Sequence, residues 1–165
     1  MTLREQTLIR EARIYAMGAH AGQKRKYTGL PYVTHCEAVA LNVYNKGGKA
    51  SQIAAAWLHD VLEDTATEYT DLIDLFGSEV AYYVQELTDH FTHENYPMFN
   101  RALRKWMEAN RLGAISDEAK LVKVCDLADN TSSIVGHDPG FASKYLVEKG
   151  QTLELMGFSP SEDES

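Results

Sequence analysis

Four ionisable side chains lie together at the end of an otherwise apolar segment, AAAWLHDVLEDT at positions 54–65. His59 and Glu63 are four residues apart, as are Asp60 and Asp64, so in a helix each pair shares one face. Charged groups at the edge of a core are costly to bury unless a partner compensates them. An adjacent His and Asp can ligate a divalent cation when further ligands come from neighbouring helices. The segment therefore indicates a metal site, although a lone His-Asp pair is weak support for one.

Two further segments supply candidate ligands. His35 lies at the start of a predicted helix, and Asp126 lies within the largely apolar segment KLVKVCDLADNTSSI at positions 120–134. With His59 and Asp60 they provide two imidazoles and two carboxylates for one ion. This mixed set of nitrogen and oxygen donors suits Mn²⁺, Fe²⁺, Co²⁺, Ni²⁺ or Zn²⁺ and does not decide between them. We predict one divalent metal ion held by His35, His59, Asp60 and Asp126, with Mn²⁺ as the first expectation.

Helical periodicity dominates the chain and predicts an all-α fold of about seven or eight helices. The segment from about Ser51 to Leu62 is apolar on nearly every side, which predicts a continuous, central buried helix. The length of 165 residues suits one compact domain, which we assign to residues 1–158. Residues 159–165 are acidic and rich in Ser, so we expect a disordered tail there.

The composition excludes several classes of partner. The formal charge is −8, from 16 Lys and Arg against 24 Asp and Glu, which argues against a nucleic-acid polymer as partner. No segment predicts a membrane span or a secretory leader, and the two cysteines are too few for a disulfide framework, so we expect a cytoplasmic protein. The basic cluster at positions 24–26 could guide one anionic ligand, or could be a solvated loop.

Four longer stretches carry a resemblance to a known family: HAGQKRKYTGLPYVTH (20–35), AAWLHDVLEDT (55–65), FGSEVAYYVQELTD (76–89) and KVCDLADNTSSI (123–134). Together they resemble the hydrolase domain of the RelA/SpoT family, particularly its small stand-alone members. The resemblance implies an HD-type helical bundle that binds metal through the four residues above. It also implies that Glu63 and Asp64 orient or deprotonate the attacking water.

The same resemblance implies residues that contact the substrate. Arg25 and Lys26 match family residues before the Gly-x-Pro-Tyr turn, and would contact the base or phosphates of a nucleotide. Asn130 would hydrogen-bond the ribose, and Ser133 matches a family Thr. Asp129, by contrast, stands where the family commonly has His. The implied reaction is removal of the 3′-diphosphate from guanosine tetra- or pentaphosphate, a small-molecule nucleotide substrate.

Other interpretations stay open from the sequence. The same metal set serves HD-type nucleotidases and hydrolases of (d)NTPs or NADPH, which would keep the site but change the substrate. A nucleotide sensor on a catalytically retired scaffold is an alternative of another class, and the retained Glu63 and Asp64 count against it. A purely structural bundle would have to bury four ionisable groups without an ion, which is costly. Tyr and Trp side chains on the outer helices could support a homodimer.

Overall fold

The computed structural model describes residues 1–158, which form helices and loops. The predicted all-α fold is confirmed, because these residues contain no strand, only an isolated bridge between Lys24 and Pro31. The predicted tail at 159–165 lies outside the described residues, and the division into one domain and a tail stays a prediction. The helices of the described part are α1 (Leu3–Ala19), α2 (Val33–Asn45), α3 (Ala50–Leu58), α4 (Val61–Asp64), α5 (Tyr69–Phe76), α6 (Ser78–Leu87), α7 (Arg101–Gly113), α8 (Asp117–His137) and α9 (Pro139–Met156).

Helix α3 is the centre of the bundle, as its apolar sequence predicts. It packs against α1, α2, α6 and α8, and all of its residues except Ser51 are buried. Three consecutive alanines, Ala54, Ala55 and Ala56, are fully buried against these neighbours. Because α3 ends inside the bundle, the residue that follows it, His59, is only 2% exposed. The end of α3 therefore places the polar side chain of His59 in the interior of the bundle.

The prediction of one continuous central helix through Leu62 is wrong, because the helix is interrupted at His59 and Asp60. Asp60 has φ −105° and ψ 0°, a conformation outside the regular helix. The ring of His59 donates from Nδ1 to the Ala56 carbonyl oxygen at 2.7 Å, and so satisfies a carbonyl near the end of the helix. Adjacent residues of a continuous helix do not face each other. The interruption brings His59 Nε2 and Asp60 Oδ2 to 3.0 Å.

Helix α8 is the longest described helix, with 21 residues, and it packs against α2, α3, α6 and α9. It begins after Ser116, whose side chain accepts a hydrogen bond from the backbone of Ala119. Asp126, Asn130 and Ser133 are three or four residues apart on it and so share one face. One helix thus carries a predicted metal ligand and two predicted substrate contacts. None of the described helices combines the length and the apolar character that a membrane span requires.

Candidate metal centre and active site

The four predicted metal ligands converge inside the bundle from α2, from the junction of α3 and α4, and from α8. The ligand atoms of His35, His59 and Asp126 lie within 4.8 Å of one another, and all three residues are buried. Asp126 Oδ1 is 2.9 Å from His35 Nε2 and 3.3 Å from His59 Nε2. Asp60 Oδ2 is 3.0 Å from His59 Nε2 and 3.8 Å from His35 Nε2. The two imidazole nitrogens and the Asp126 carboxylate therefore form one compact group, and Asp60 lies at its edge, close to His59.

The hydrogen bond of His59 determines which ring nitrogen faces that group. A carbonyl oxygen only accepts, so Nδ1, which lies 2.7 Å from the Ala56 oxygen, carries the proton. In the neutral ring Nε2 then holds an unshared electron pair. This atom is buried, has no hydrogen-bond partner within the described residues, and faces Asp60 and Asp126 at 3.0 and 3.3 Å. An electron pair that faces two carboxylates is unfavourable unless a proton or a metal cation lies between them, so the site fits a divalent metal ion.

His35 is oriented by a carboxylate that the sequence analysis recorded only as a departure from the family pattern. Its Nδ1 lies 2.6 Å from Asp129 Oδ2, which leaves Nε2 to face Asp126. A carboxylate behind a histidine in this way is common at metal sites, where it fixes the ring and makes the ligand nitrogen more basic. The sequence held a signal for it, since Asp129 follows Asp126 by three residues on one helix.

The pKa values show that the cluster favours a positive charge. Burial lowers the pKa of His59, but Asp60 and Asp126 outweigh it and hold the pKa well above its usual value. Burial also lowers the pKa of His35, but Asp126 and Asp129 outweigh it and raise the pKa above its usual value. Burial raises the pKa of Asp126, yet Lys123 and the two imidazoles bring it well below its usual value. A divalent ion meets this demand while both histidines stay neutral, as ligands must be.

Lys123 is a residue of the site that had no predicted role. Its ammonium nitrogen lies 3.0 Å from Asp126 Oδ2, and its side chain is 14% exposed. Burial lowers the pKa of Lys123, but Asp126 and then Asp89 raise it above its usual value. Lys123 precedes Asp126 by three residues, so the pair was visible in the sequence as neighbours on one helix face. Lys123 compensates part of the negative charge that the cluster buries.

The two predicted catalytic carboxylates, Glu63 and Asp64, lie on α4 beside the cluster. Glu63 accepts a hydrogen bond from the backbone of Asp89 at 2.5 Å, and Asp64 accepts one from Gln23 at 3.3 Å. Burial, then Asp89 and Asp60, raise the pKa of Glu63 to about 8. Burial, followed by Asp60, also raises the pKa of Asp64. Both residues are exposed, so water can reach them, and the raised pKa of Glu63 suits proton exchange near neutral pH.

Three of the four predicted substrate contacts lie on one side of the cluster. Arg25 donates from one guanidinium nitrogen to Asp129 Oδ2 at 2.8 Å and to the Ser133 hydroxyl at 3.3 Å. The Asn130 amide donates to Asp126 Oδ1 at 3.2 Å. The arrangement places a guanidinium, a hydroxyl and an amide next to the candidate metal ligands. These are the groups that phosphate and sugar oxygens require.

Lys26, the fourth predicted contact, is not drawn into this group. It is exposed, and its ammonium nitrogen lies 5.4 Å from the centroid of the Tyr27 ring. The two cysteines, Cys36 and Cys125, are free and buried, and burial raises the pKa of both thiols to about 12. They are therefore packed as thiols and not as metal ligands, although each adjoins a predicted ligand in sequence.

The chain belongs to the HD domain family, whose model matches residues 12–141. This match spans α2, α3, α4 and α8, which carry the cluster. A solved structure described as a metazoan ortholog of SpoT that hydrolyses ppGpp superposes with a TM-score of 0.80 at 27% identity, covering 92% of this chain and 87% of that one. The sequence is thus homologous to the hydrolases of the RelA/SpoT group, as the resemblance predicted.

Two curated relatives show how the similarity is distributed. A probable chloroplastic GTP diphosphokinase of Arabidopsis thaliana is 31% identical over 143 residues, which are 84% of this chain and 19% of the relative. A guanosine-3′,5′-bis(diphosphate) 3′-pyrophosphohydrolase of Aquifex aeolicus is 44% identical over 80 residues, or 48% of this chain and 11% of the relative. The chain therefore corresponds to a small part of much longer relatives.

Proposed function

We propose that the protein is a metal-dependent phosphohydrolase that removes the 3′-diphosphate from guanosine 3′,5′-bis(diphosphate). The observation that carries the proposal is the cluster of the buried residues His35, His59 and Asp126 with the partly buried Asp60. In it, Nε2 of His59 has no hydrogen-bond partner within the described residues and faces two carboxylates. The relatives named for hydrolysis of this nucleotide support the substrate.

In the proposed enzyme the four residues of the cluster hold one divalent ion, with Mn²⁺ expected. When bound, such an ion supplies Lewis-acid activation of water and neutralises charge on the phosphoryl group. The protein prepares for this with neutral, oriented imidazoles. Ala56 and Asp129 each accept the Nδ1 proton of one histidine, so both Nε2 atoms are available as ligands.

Glu63 and Asp64 orient the attacking water and accept its proton. The new bond forms between the water oxygen and the phosphorus next to the 3′-oxygen. The bond from that phosphorus to the 3′-oxygen breaks, its electron pair stays on the 3′-oxygen, and that oxygen takes up a proton. The products are GDP and diphosphate. Glu63, whose pKa is raised to about 8, suits proton exchange near neutral pH.

The nucleotide would lie along the side of the cluster formed by Arg25, Asn130 and Ser133. Arg25 and Ser133 are within hydrogen-bond distance of each other, so one phosphate group could contact both. Asn130 sits one helical turn from Asp126, so its amide could exchange that carboxylate for a ribose hydroxyl. Lys26 is exposed on the same loop as Arg25 and could contact an outer phosphate. We expect a cytoplasmic enzyme, with a homodimer as a further expectation.

The test is hydrolysis by protein stripped of metal and then supplied with Mn²⁺. The panel contains guanosine 3′,5′-bis(diphosphate), dNTPs, nucleoside monophosphates and NADPH, and release of phosphate and diphosphate is followed for each. We expect diphosphate from the first substrate only, lost in Asp60→Ala. Activity restricted to another member of the panel would retain the site and replace the substrate. Binding of metal and nucleotide without turnover would make the protein a sensor and contradict the proposal.

A further inference from the structure

Asp129 joins the candidate metal centre to the candidate substrate side through a single oxygen atom. Its Oδ2 lies 2.6 Å from Nδ1 of His35 and 2.8 Å from a guanidinium nitrogen of Arg25. The three side chains come from α2, from the loop before it and from α8, and their exposed fractions are 2% for His35, 15% for Arg25 and 22% for Asp129. The contact is thus largely shielded from solvent, where charge interactions are strong.

The two contacts of this oxygen compete for the same negative charge. A carboxylate that accepts the Nδ1 proton of a histidine makes the opposite nitrogen a better metal ligand. Arg25 withdraws charge from the same oxygen, because a guanidinium is always protonated and binds carboxylates strongly. The more firmly Arg25 is held by Asp129, the less charge remains to polarise His35. An anionic ligand that bound Arg25 and broke its ion pair with Asp129 would increase the polarisation of His35.

We infer that Asp129 is a positioning residue that couples the binding of a phosphate-bearing ligand at Arg25 to the binding of the metal ion at His35. The inference rests on the proposed metal centre and adds a link between its two halves. When a phosphate group binds Arg25 in place of Asp129, the Asp129 carboxylate interacts more strongly with His35. Nucleotide and metal therefore bind with positive cooperativity. The coupling is reciprocal, because each ligand must raise the affinity of the other by the same factor.

The affinity for Mn²⁺ alone tests the coupling without any nucleotide that could chelate the ion. Dissociation constants are measured by electron paramagnetic resonance of free Mn²⁺ for the wild type, Asp129→Ala, Arg25→Ala and the double variant. We expect Asp129→Ala to weaken binding about 10- to 100-fold. We expect Arg25→Ala to tighten binding. In the double variant the effect of removing Arg25 must largely disappear, because the residue through which it acts is gone.

Two controls separate positioning from folding and from loss of any ion pair. Arg101→Ala breaks the ion pair between Arg101 on α7 and Glu148 on α9. This pair lies outside the cluster, so the change should leave Mn²⁺ affinity unchanged. Asp129→Asn keeps an oxygen acceptor for His35 without the charge, so it should rescue part of the affinity that Asp129→Ala loses. If thermal melting without metal shows that Asp129→Ala does not fold, Asp129→Asn replaces it in the comparison with Arg25→Ala and the double variant.

The outcomes distinguish this inference from the proposed function. If the wild type does not bind Mn²⁺, both fail. If the wild type binds Mn²⁺ and Asp129→Ala binds it equally well, only the inference is overturned. An effect of Arg25→Ala that is the same with and without Asp129 would also overturn it, because the guanidinium would then act on the ion directly through space.

Discussion

Replacing Lys123 with Met removes the cation that compensates the buried carboxylate Asp126. The two side chains lie 3.0 Å apart and are 14% and 8% exposed, so solvent screens the pair only weakly. Burial raises the pKa of the partly buried Asp89, and the same ammonium group opposes that rise. Removing one partner of a buried ion pair leaves an uncompensated charge and typically costs about 3–5 kcal/mol. His35 and His59 also contact Asp126, so we expect Lys123→Met to lower the free energy of unfolding of the metal-free protein by at most about that amount.

The destabilisation should be smaller when metal is bound. An ion held by Asp126 compensates the same charge, and loss of the nearby ammonium group removes a repulsion against that ion. Mn²⁺ should therefore stabilise Lys123→Met more than it stabilises the wild type, and recover part of the lost stability. The measurement is urea unfolding followed by circular dichroism, with a chelator in one series and Mn²⁺ in the other.

A matched control lies one turn earlier on α8. Lys120 is 3.9 Å from Asp117, but Asp117 is 99% exposed, so the pair belongs to the class that contributes little. Lys120→Met should change the free energy of unfolding by less than about 1 kcal/mol, with or without metal. If Lys123→Met and Lys120→Met change the free energy of unfolding of the metal-free protein by the same small amount, Lys123 does not stabilise the buried charge of Asp126, and the prediction is refuted.

Three further predictions test the site and the packing. Asp64→Asn should keep Mn²⁺ affinity and reduce turnover by about 10²- to 10⁴-fold, and a variant with unchanged turnover would remove Asp64 from the mechanism. Because the pKa of Glu63 is raised, its contribution to the stability of the metal-free protein is lost as pH rises from the usual carboxyl pKa of 4.5 towards about 8. Glu63→Gln should therefore flatten the pH dependence of the free energy of unfolding across that range. An unchanged slope would contradict the prediction. Gly113→Ala would place a Cβ 2.7 Å from the Leu155 carbonyl oxygen and should destabilise by about 1–3 kcal/mol. Gly150→Ala meets nothing within 4 Å and should stabilise α9 by about 0.5–1 kcal/mol in thermal melts; equal melting temperatures would refute the difference in packing.

The sequence by itself determined the fold class, the central helix and the identity of the candidate ligands. Helical periodicity is a local property, so the apolar residues of α3 could be recognised without knowledge of contacts. The side chains of His35, His59 and Asp126 stand out because buried ionisable groups in apolar segments need a partner. The motifs that resemble the RelA/SpoT hydrolases then indicated which partner to expect.

Only the tertiary structure showed how these residues are used. The break at His59 and Asp60 was invisible to periodicity, because the segment continues to satisfy the helical pattern through Leu62. At the break, Asp60 faces His35 of α2 and His59 faces Asp126 of α8, and the local sequence does not encode these contacts between helices.

The role of Asp129 depends on contacts across the whole chain. His35 is 94 residues away in sequence and Arg25 is 104 residues away, yet both donate to one carboxylate oxygen. A side chain's neighbours on its own helix follow from helical geometry, which is why Lys123 could have been foreseen. Its neighbours on other helices follow from how the bundle packs, and the charge on Asp129 acquires its partners only there.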